Sequence, residues 1–125
     1  MKRVYVAGPF RATNGYQLKL NIDRAEEMAY FTAKAGAIPI CPHTMYHHFD
    51  RTLTAQYWID ATLELLRLCD AVIVCQGWRS SEGTMGEIAE ATRMRLPVFY
   101  SIGDLEDWLT SDQPATWQGH TGEAG

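Results

Sequence analysis

Ala71-Val72-Ile73-Val74-Cys75 is an unbroken apolar run, β-branched at its centre. A strand that alternates apolar and polar residues has one wet face. This run has none, so it fits a strand covered on both faces, as at the centre of a parallel sheet. Upstream, Val4-Tyr5-Val6-Ala7 halts at Gly8-Pro9 and reads as a strand followed by a turn. Ala37-Ile38-Pro39-Ile40-Cys41 is a further strand, with Pro39 indicating a sheet edge. Downstream, Pro97-Val98-Phe99-Tyr100 is the last strand.

Helical periods fill the gaps. Ile22, Ala25, Ala29, Phe31 and Ala33 lead to a stop at Gly36, and Tyr57, Ala61, Leu65 and Leu68 mark a second helix. Residues 77–83 read as a loop, Glu87–Arg95 as a helix, and Leu105–Leu109 as a short closing helix. Strand–helix alternation with right-handed crossovers predicts a single-domain α/β Rossmann-like (flavodoxin-like) fold. Its parallel sheet should have strand order 2-1-3-4 and helices on both faces. Residues 1–109 form the expected domain. From residue 110 the sequence is small and polar apart from Trp117, a tail expected to be mobile.

Composition narrows the function. With 125 residues there is room for one domain. Lys plus Arg number 11 against 15 Asp plus Glu, a net charge of −4 that disfavours binding to polymeric nucleic acid. No apolar run approaches the roughly 18 residues of a membrane span. Arg11 interrupts the apolar stretch after Met1-Lys2-Arg3, so no cleavable leader is expected. Three scattered cysteines (41, 69 and 75) suit a reducing cytoplasm better than a disulfide framework.

Ligands of such sheets sit beyond the carboxyl ends of the strands. Two loops there can cradle an anion. One is Gly8-Pro9-Phe10-Arg11, where Gly8 permits close backbone approach and Arg11 offers a planar fork. The other runs from Gly77 through Trp78, Ser81 and Gly83 into a helix start. Glu87 is read in the first turn of that helix, where the macrodipole favours an ionised carboxylate suited to nucleophilic attack. Thr84-x-x-Glu87 is equally a capping box, in which Glu87 only satisfies the helix start.

His43, His47, His48 and Asp50 crowd the loop after the second strand. Adjacent His47 and His48 rarely face one ion, so no metal site is assigned. His43 either lines a base pocket or is a surface histidine. Trp78 either stacks on a nucleobase or covers the sheet edge. Cys75 has no activating neighbour in sequence and reads as a small apolar residue.

Val4 to Arg11, Gly77-Trp78, Ser81-x-Gly83 and Glu87-x-x-x-Ala91 together resemble the nucleoside 2-deoxyribosyltransferase superfamily. The similarity runs from about residue 3 to residue 101. It is nearest to the DUF4406 proteins, and several positions are shared with deoxynucleoside 5′-monophosphate N-glycosidases. The resemblance implies that Glu87 attacks the anomeric carbon of a nucleoside or its 5′-monophosphate, and that Tyr5 orients Glu87. It further implies that Gly8, Arg11 and Ser81 surround the 5′-phosphate, that no cofactor is needed, and that subunits pair to complete their pockets. The expected contact lies around Tyr57, Trp58 and Leu65.

The glycosidases also carry an Asp eight residues before the Asp that opens the third strand. Here Asp60 lies ten before Asp70, and Thr62 takes the eight-residue offset. Asp60 is carried over as the third catalytic candidate. Two rival functions remain at this stage: a nucleotide-binding or sensing module without turnover, and a structural α/β partner domain.

Overall fold

The computed structural model describes residues 1–49 and 52–111. Four strands, β1 (Arg3–Ala7), β2 (Ile38–Ile40), β3 (Ala71–Val74) and β4 (Val98–Phe99), form an all-parallel sheet in the order β2-β1-β3-β4. The helices are α1 (Gly15–Lys34), α2 (Pro42–Tyr46), α3 (Ala55–Arg67), α4 (Glu82–Arg93) and α5 (Ile102–Thr110). Together they make the single-domain Rossmann-like arrangement.

Side chains alternate across the sheet with the period of two that a pleated strand imposes. Val4, Val6, Ala71, Ile73 and Cys75 pack with Ala25 of α1 and Leu105 and Trp108 of α5. Tyr5, Ala7, Val72 and Val74 pack with Leu66 of α3 and Ala91 of α4. Every residue of β3 is buried, as its unbroken apolar run requires. β2 is an edge strand, so the N–H that Pro39 lacks is not missed by a second neighbour.

Helix boundaries differ from the pattern-based expectation where a polar cap acts earlier than the apolar stripe begins. Asn14 accepts a hydrogen bond from the Gln17 N–H and starts α1 at Gly15. Gly36, at φ +99°, follows its end. Ser81 caps α4, which therefore begins at Glu82, five residues ahead of Glu87. In α3 the buried side is Trp58 and Leu66, whereas Tyr57 and Leu68 of the expected stripe are exposed. Ser101 caps α5, which extends through Thr110 rather than ending at Leu109. The remainder of the expected tail, with Trp117, and Asp50 of the histidine loop lie outside the described residues. Among the described residues, no helix is long and apolar enough to cross a membrane.

Candidate active site

The β1–α1 and β3–α4 connections meet at the carboxyl edge of the sheet, where the strand order reverses direction from β1. Gly77 adopts φ +86°, and a Cβ built on it would lie 3.5 Å from Cγ of Pro9. Gly8 is held closer still. A Cβ there would stand 2.8 Å from Cβ and 3.0 Å from Sγ of Cys75, while the Cys75 N–H donates to the Ala7 carbonyl at 2.8 Å. The missing side chain of Gly8 thus makes room for Cys75. This adds a packing reason to the ligand-approach reason that the sequence suggests.

Glu87 is not a helix cap. It lies in the second turn of α4, and its carboxylate accepts a hydrogen bond from the Tyr5 hydroxyl. The cap belongs to Ser81, whose Oγ accepts from the Thr84 N–H at 3.2 Å and from the Thr84 hydroxyl at 2.8 Å. The capping-box reading of Thr84-x-x-Glu87 fails because Ser81 occupies the N-cap three residues before Thr84. Thr84 itself is buried.

The expected ionisation of Glu87 changes with its position. One turn further from the helix start, it is less exposed to the dipole. Burial pushes its carboxyl pKa up to about 7, and the Tyr5 hydrogen bond pulls only partly in the other direction. The residue keeps some solvent contact. Tyr5 is almost fully buried, and its phenol is held well above the ordinary range by burial first and by the Glu87 charge second. Thr62 of α3 lies close enough to that phenol to oppose the rise, while its own hydroxyl donates to the Trp58 carbonyl at 2.8 Å.

Asp60 does not join this group. It is exposed and accepts from Gln56 Nε2 at 2.8 Å. Two helical positions separate it from Thr62, about 200° around the axis at 100° per residue. Thr62 faces Tyr5 and Asp60 therefore faces solvent.

Around the β1 loop, Arg11 is exposed, while Pro9 and Phe10 are half-buried. His43 is buried, with Nε2 donating to the Pro9 carbonyl at 2.9 Å and its ring edge-on to Phe10 at 5.4 Å. It is an internal tether, neither a surface histidine nor an open wall for a base. Burial lowers its pKa and keeps it neutral. Trp78 packs against Tyr100 at 5.2 Å and carries the Arg79 guanidinium over its ring at 4.5 Å. It covers the sheet edge beside β4. Gly83 sits in the first turn of α4 with open space around it. Burial raises the Cys75 thiol to about 12, so it is not a nucleophile at neutral pH. Among the described residues, no group of three His, Cys, Asp or Glu converges as metal ligands.

Asn21 was not singled out by the sequence. It is buried in α1, donates from Nδ2 to the Phe10 carbonyl at 3.1 Å, and accepts from Gln17 Nε2 at 3.1 Å. Its one signal is a polar residue at a position of the α1 period that faces the core.

A sequence profile described as domain of unknown function (DUF7768) matches residues 2–101. The chain belongs to that family. The DUF7768 segment contains both loops, Tyr5 and Glu87, and it stops before the first residue of α5. No curated protein matches the chain.

Proposed function

We propose that this protein cleaves the N-glycosidic bond of a nucleoside or deoxynucleoside, or of its 5′-monophosphate, with Glu87 as nucleophile. The observation that carries the reading is the Tyr5–Glu87 hydrogen bond at the carboxyl edge, beside two touching loops. A carboxylate oriented by a buried phenol is positioned rather than free to swing. In its ionised form Glu87 attacks the anomeric carbon while the C–N bond breaks. The bonding pair leaves with the base, which takes up a proton from solvent. Water then attacks the same carbon, gives up a proton to solvent and releases the Glu87 carboxylate, a double displacement that retains configuration. Replacing water by a second base makes the same machinery a deoxyribosyltransferase.

Arg11 supplies charge-assisted hydrogen bonds to a 5′-phosphate. Ser81 takes the Thr84 and Met85 N–H groups, and those of Glu82 and Gly83, which have no partner among the described residues, are left for the same anion. The carboxylate supplies the covalent chemistry, so the reading calls for no metal or organic cofactor. Free, buried Cys41, Cys69 and Cys75 support a reducing, cytoplasmic setting. Self-association belongs to the proposal as well. Of the three residues expected at the contact, Tyr57 is exposed, Leu65 is half-buried and Trp58 is buried, while Phe49, Leu53 and Ile59 are exposed near them in sequence.

A non-catalytic nucleotide sensor is the second reading. Its support is the raised Glu87 pKa, since a protonated carboxyl is not a nucleophile. The two readings separate when the purified protein is incubated with nucleosides, deoxynucleosides and their 5′-monophosphates. Release of free base by wild type and not by Glu87→Gln supports the enzyme. Ligand binding without base release supports the sensor.

A further inference from the structure

We propose that Asn21 and His43 are positioning residues that turn the β1 loop into an anion receptor built from the backbone N–H groups of Phe10 and Arg11. The inference rests on the reading that this loop takes the 5′-phosphate, and it assigns the means by which the loop is shaped.

Two consecutive carbonyls of the loop are drawn inward. His43 Nε2 holds the Pro9 carbonyl at 2.9 Å, and Asn21 Nδ2 holds the Phe10 carbonyl at 3.1 Å. Both side chains are about 94% buried, so neither bond is a surface accident. A carbonyl only accepts, which requires the proton of His43 to sit on Nε2 and leaves Nδ1 bare. That buried Nδ1 has no hydrogen-bond partner among the described residues. A buried ring nitrogen left without a partner is costly. The polar influences on the ring both come from the β1 loop, the Pro9 carbonyl at hydrogen-bond distance and the Gly8 backbone beside it.

The peptide groups are trans and planar. In such a unit the C=O and the following N–H point in opposite directions. Drawing in the carbonyls of Pro9 and Phe10 therefore turns the N–H groups of Phe10 and Arg11 outward, away from α1 and α2. Neither N–H has an acceptor among the described residues. Two such unpartnered N–H groups on one loop, with the exposed Arg11 side chain beside them, are donors available to an anion. Gln17, one turn before Asn21 on α1, fixes the amide so that its NH2 and not its oxygen meets Phe10.

The test uses the full chain and needs no variant for its first arm. Inorganic phosphate is titrated into 15N-labelled wild type, and the Phe10 and Arg11 amide signals are expected to move. Affinities for the four deoxynucleoside 5′-monophosphates and their nucleosides are then measured for Asn21→Leu, His43→Leu and His43→Gln. Each leucine variant should lose about tenfold or more on monophosphates and under about twofold on nucleosides, as expected for a misplaced phosphate contact. His43→Gln, which restores a donor, should recover most of the loss. Unmoved Phe10 and Arg11 signals overturn the proposal, as does wild-type monophosphate affinity in the folded leucine variants. An equal loss of both ligand classes overturns it too, since that is the mark of general structural damage. Base release from nucleosides with unmoved signals leaves the glycosidase reading standing without this inference. Moving signals without base release from any substrate leave the inference standing alone.

Discussion

The Tyr5 hydroxyl donates its hydrogen bond to Glu87 across 82 positions of sequence, joining the second residue pair of the sheet's core face to the second turn of α4. Tyr5 reaches that spot because β1 points alternate side chains at α3 and α4. Glu87 reaches it because Ser81 starts α4 early enough to turn position 87 toward the sheet. The pair draws its chemistry from burial, which raises the carboxyl, and from the phenol, which opposes that rise.

The first prediction concerns pH. Burial lifts the folded-state pKa of Glu87 from the ordinary 4.5 to about 7. Between those values the native state holds a proton that the unfolded chain has released, so stability falls as pH rises through the window and levels off above about 7. The full change is at most on the order of 3 kcal/mol and is reduced by the solvent contact that Glu87 keeps. Glu87→Gln should flatten this part of the profile in urea titrations between pH 4.5 and 8. Base release by wild type should rise with pH through about 7, because the attacking form is ionised. A rate that falls through the same window contradicts a nucleophilic Glu87 and points to proton donation.

Arg11→Ala should weaken binding of 5′-monophosphates by about ten- to a hundredfold, the worth of a charge-assisted contact of roughly 1.5–3 kcal/mol. Nucleoside binding should change little. Isothermal titration with both ligand classes reads the difference directly, and equal losses would remove Arg11 from the phosphate site.

Gly8→Ala should destabilise the protein by roughly 1–3 kcal/mol, the usual range for an extra group forced into a packed core. The new methyl would meet Cβ of Cys75 at 2.8 Å. Cys75→Gly in the same chain should recover part of the loss, and thermal unfolding of the two single variants and the double variant closes the cycle. No recovery would mean that the loop, and not Cys75, sets the requirement for glycine.

Ser81→Ala should lower stability by about 0.5–2 kcal/mol through loss of the α4 cap. Glu87→Gln should not show a capping loss, because its side chain bonds Tyr5. A larger drop for Glu87→Gln than for Ser81→Ala at pH 5 would restore the capping role to position 87.

Light scattering at micromolar concentration should show at least a dimer. Ile59→Asp, which places a charge on an exposed apolar residue of α3, should reduce the mass to that of one chain. A monomeric wild type with full base-release activity would exclude a pocket completed between subunits.

The strands, their order and the helix-covered faces were legible in the residues because apolar runs and helical periods are local patterns. A run such as Ala71–Cys75 leaves no wet face, and that alone demands a central parallel strand. The loops after β1 and β3 were legible as loops from their glycines, and the positive φ of Gly77 agrees with its residue type, but the packing of Gly8 on Cys75 was not legible. Nor were partnerships. Thr84-x-x-Glu87 reads as a capping box in sequence, and only the packing of α4 on β1 decides that Ser81 is the cap and that Glu87 meets Tyr5. Asp60 and Thr62 differ by two positions, and the phase of α3, set by burial of Trp58 and Leu66, turns the threonine inward and the carboxylate out. Asn21 gave no functional signal, and His43 read as either a wall of a base pocket or a surface histidine, until the fold placed both against the carbonyls of Pro9 and Phe10. Local periodicity determined the sheet and its edge; burial and long-range hydrogen bonds, which depend on what lies across the core, decided which side chains share the candidate site and how they ionise.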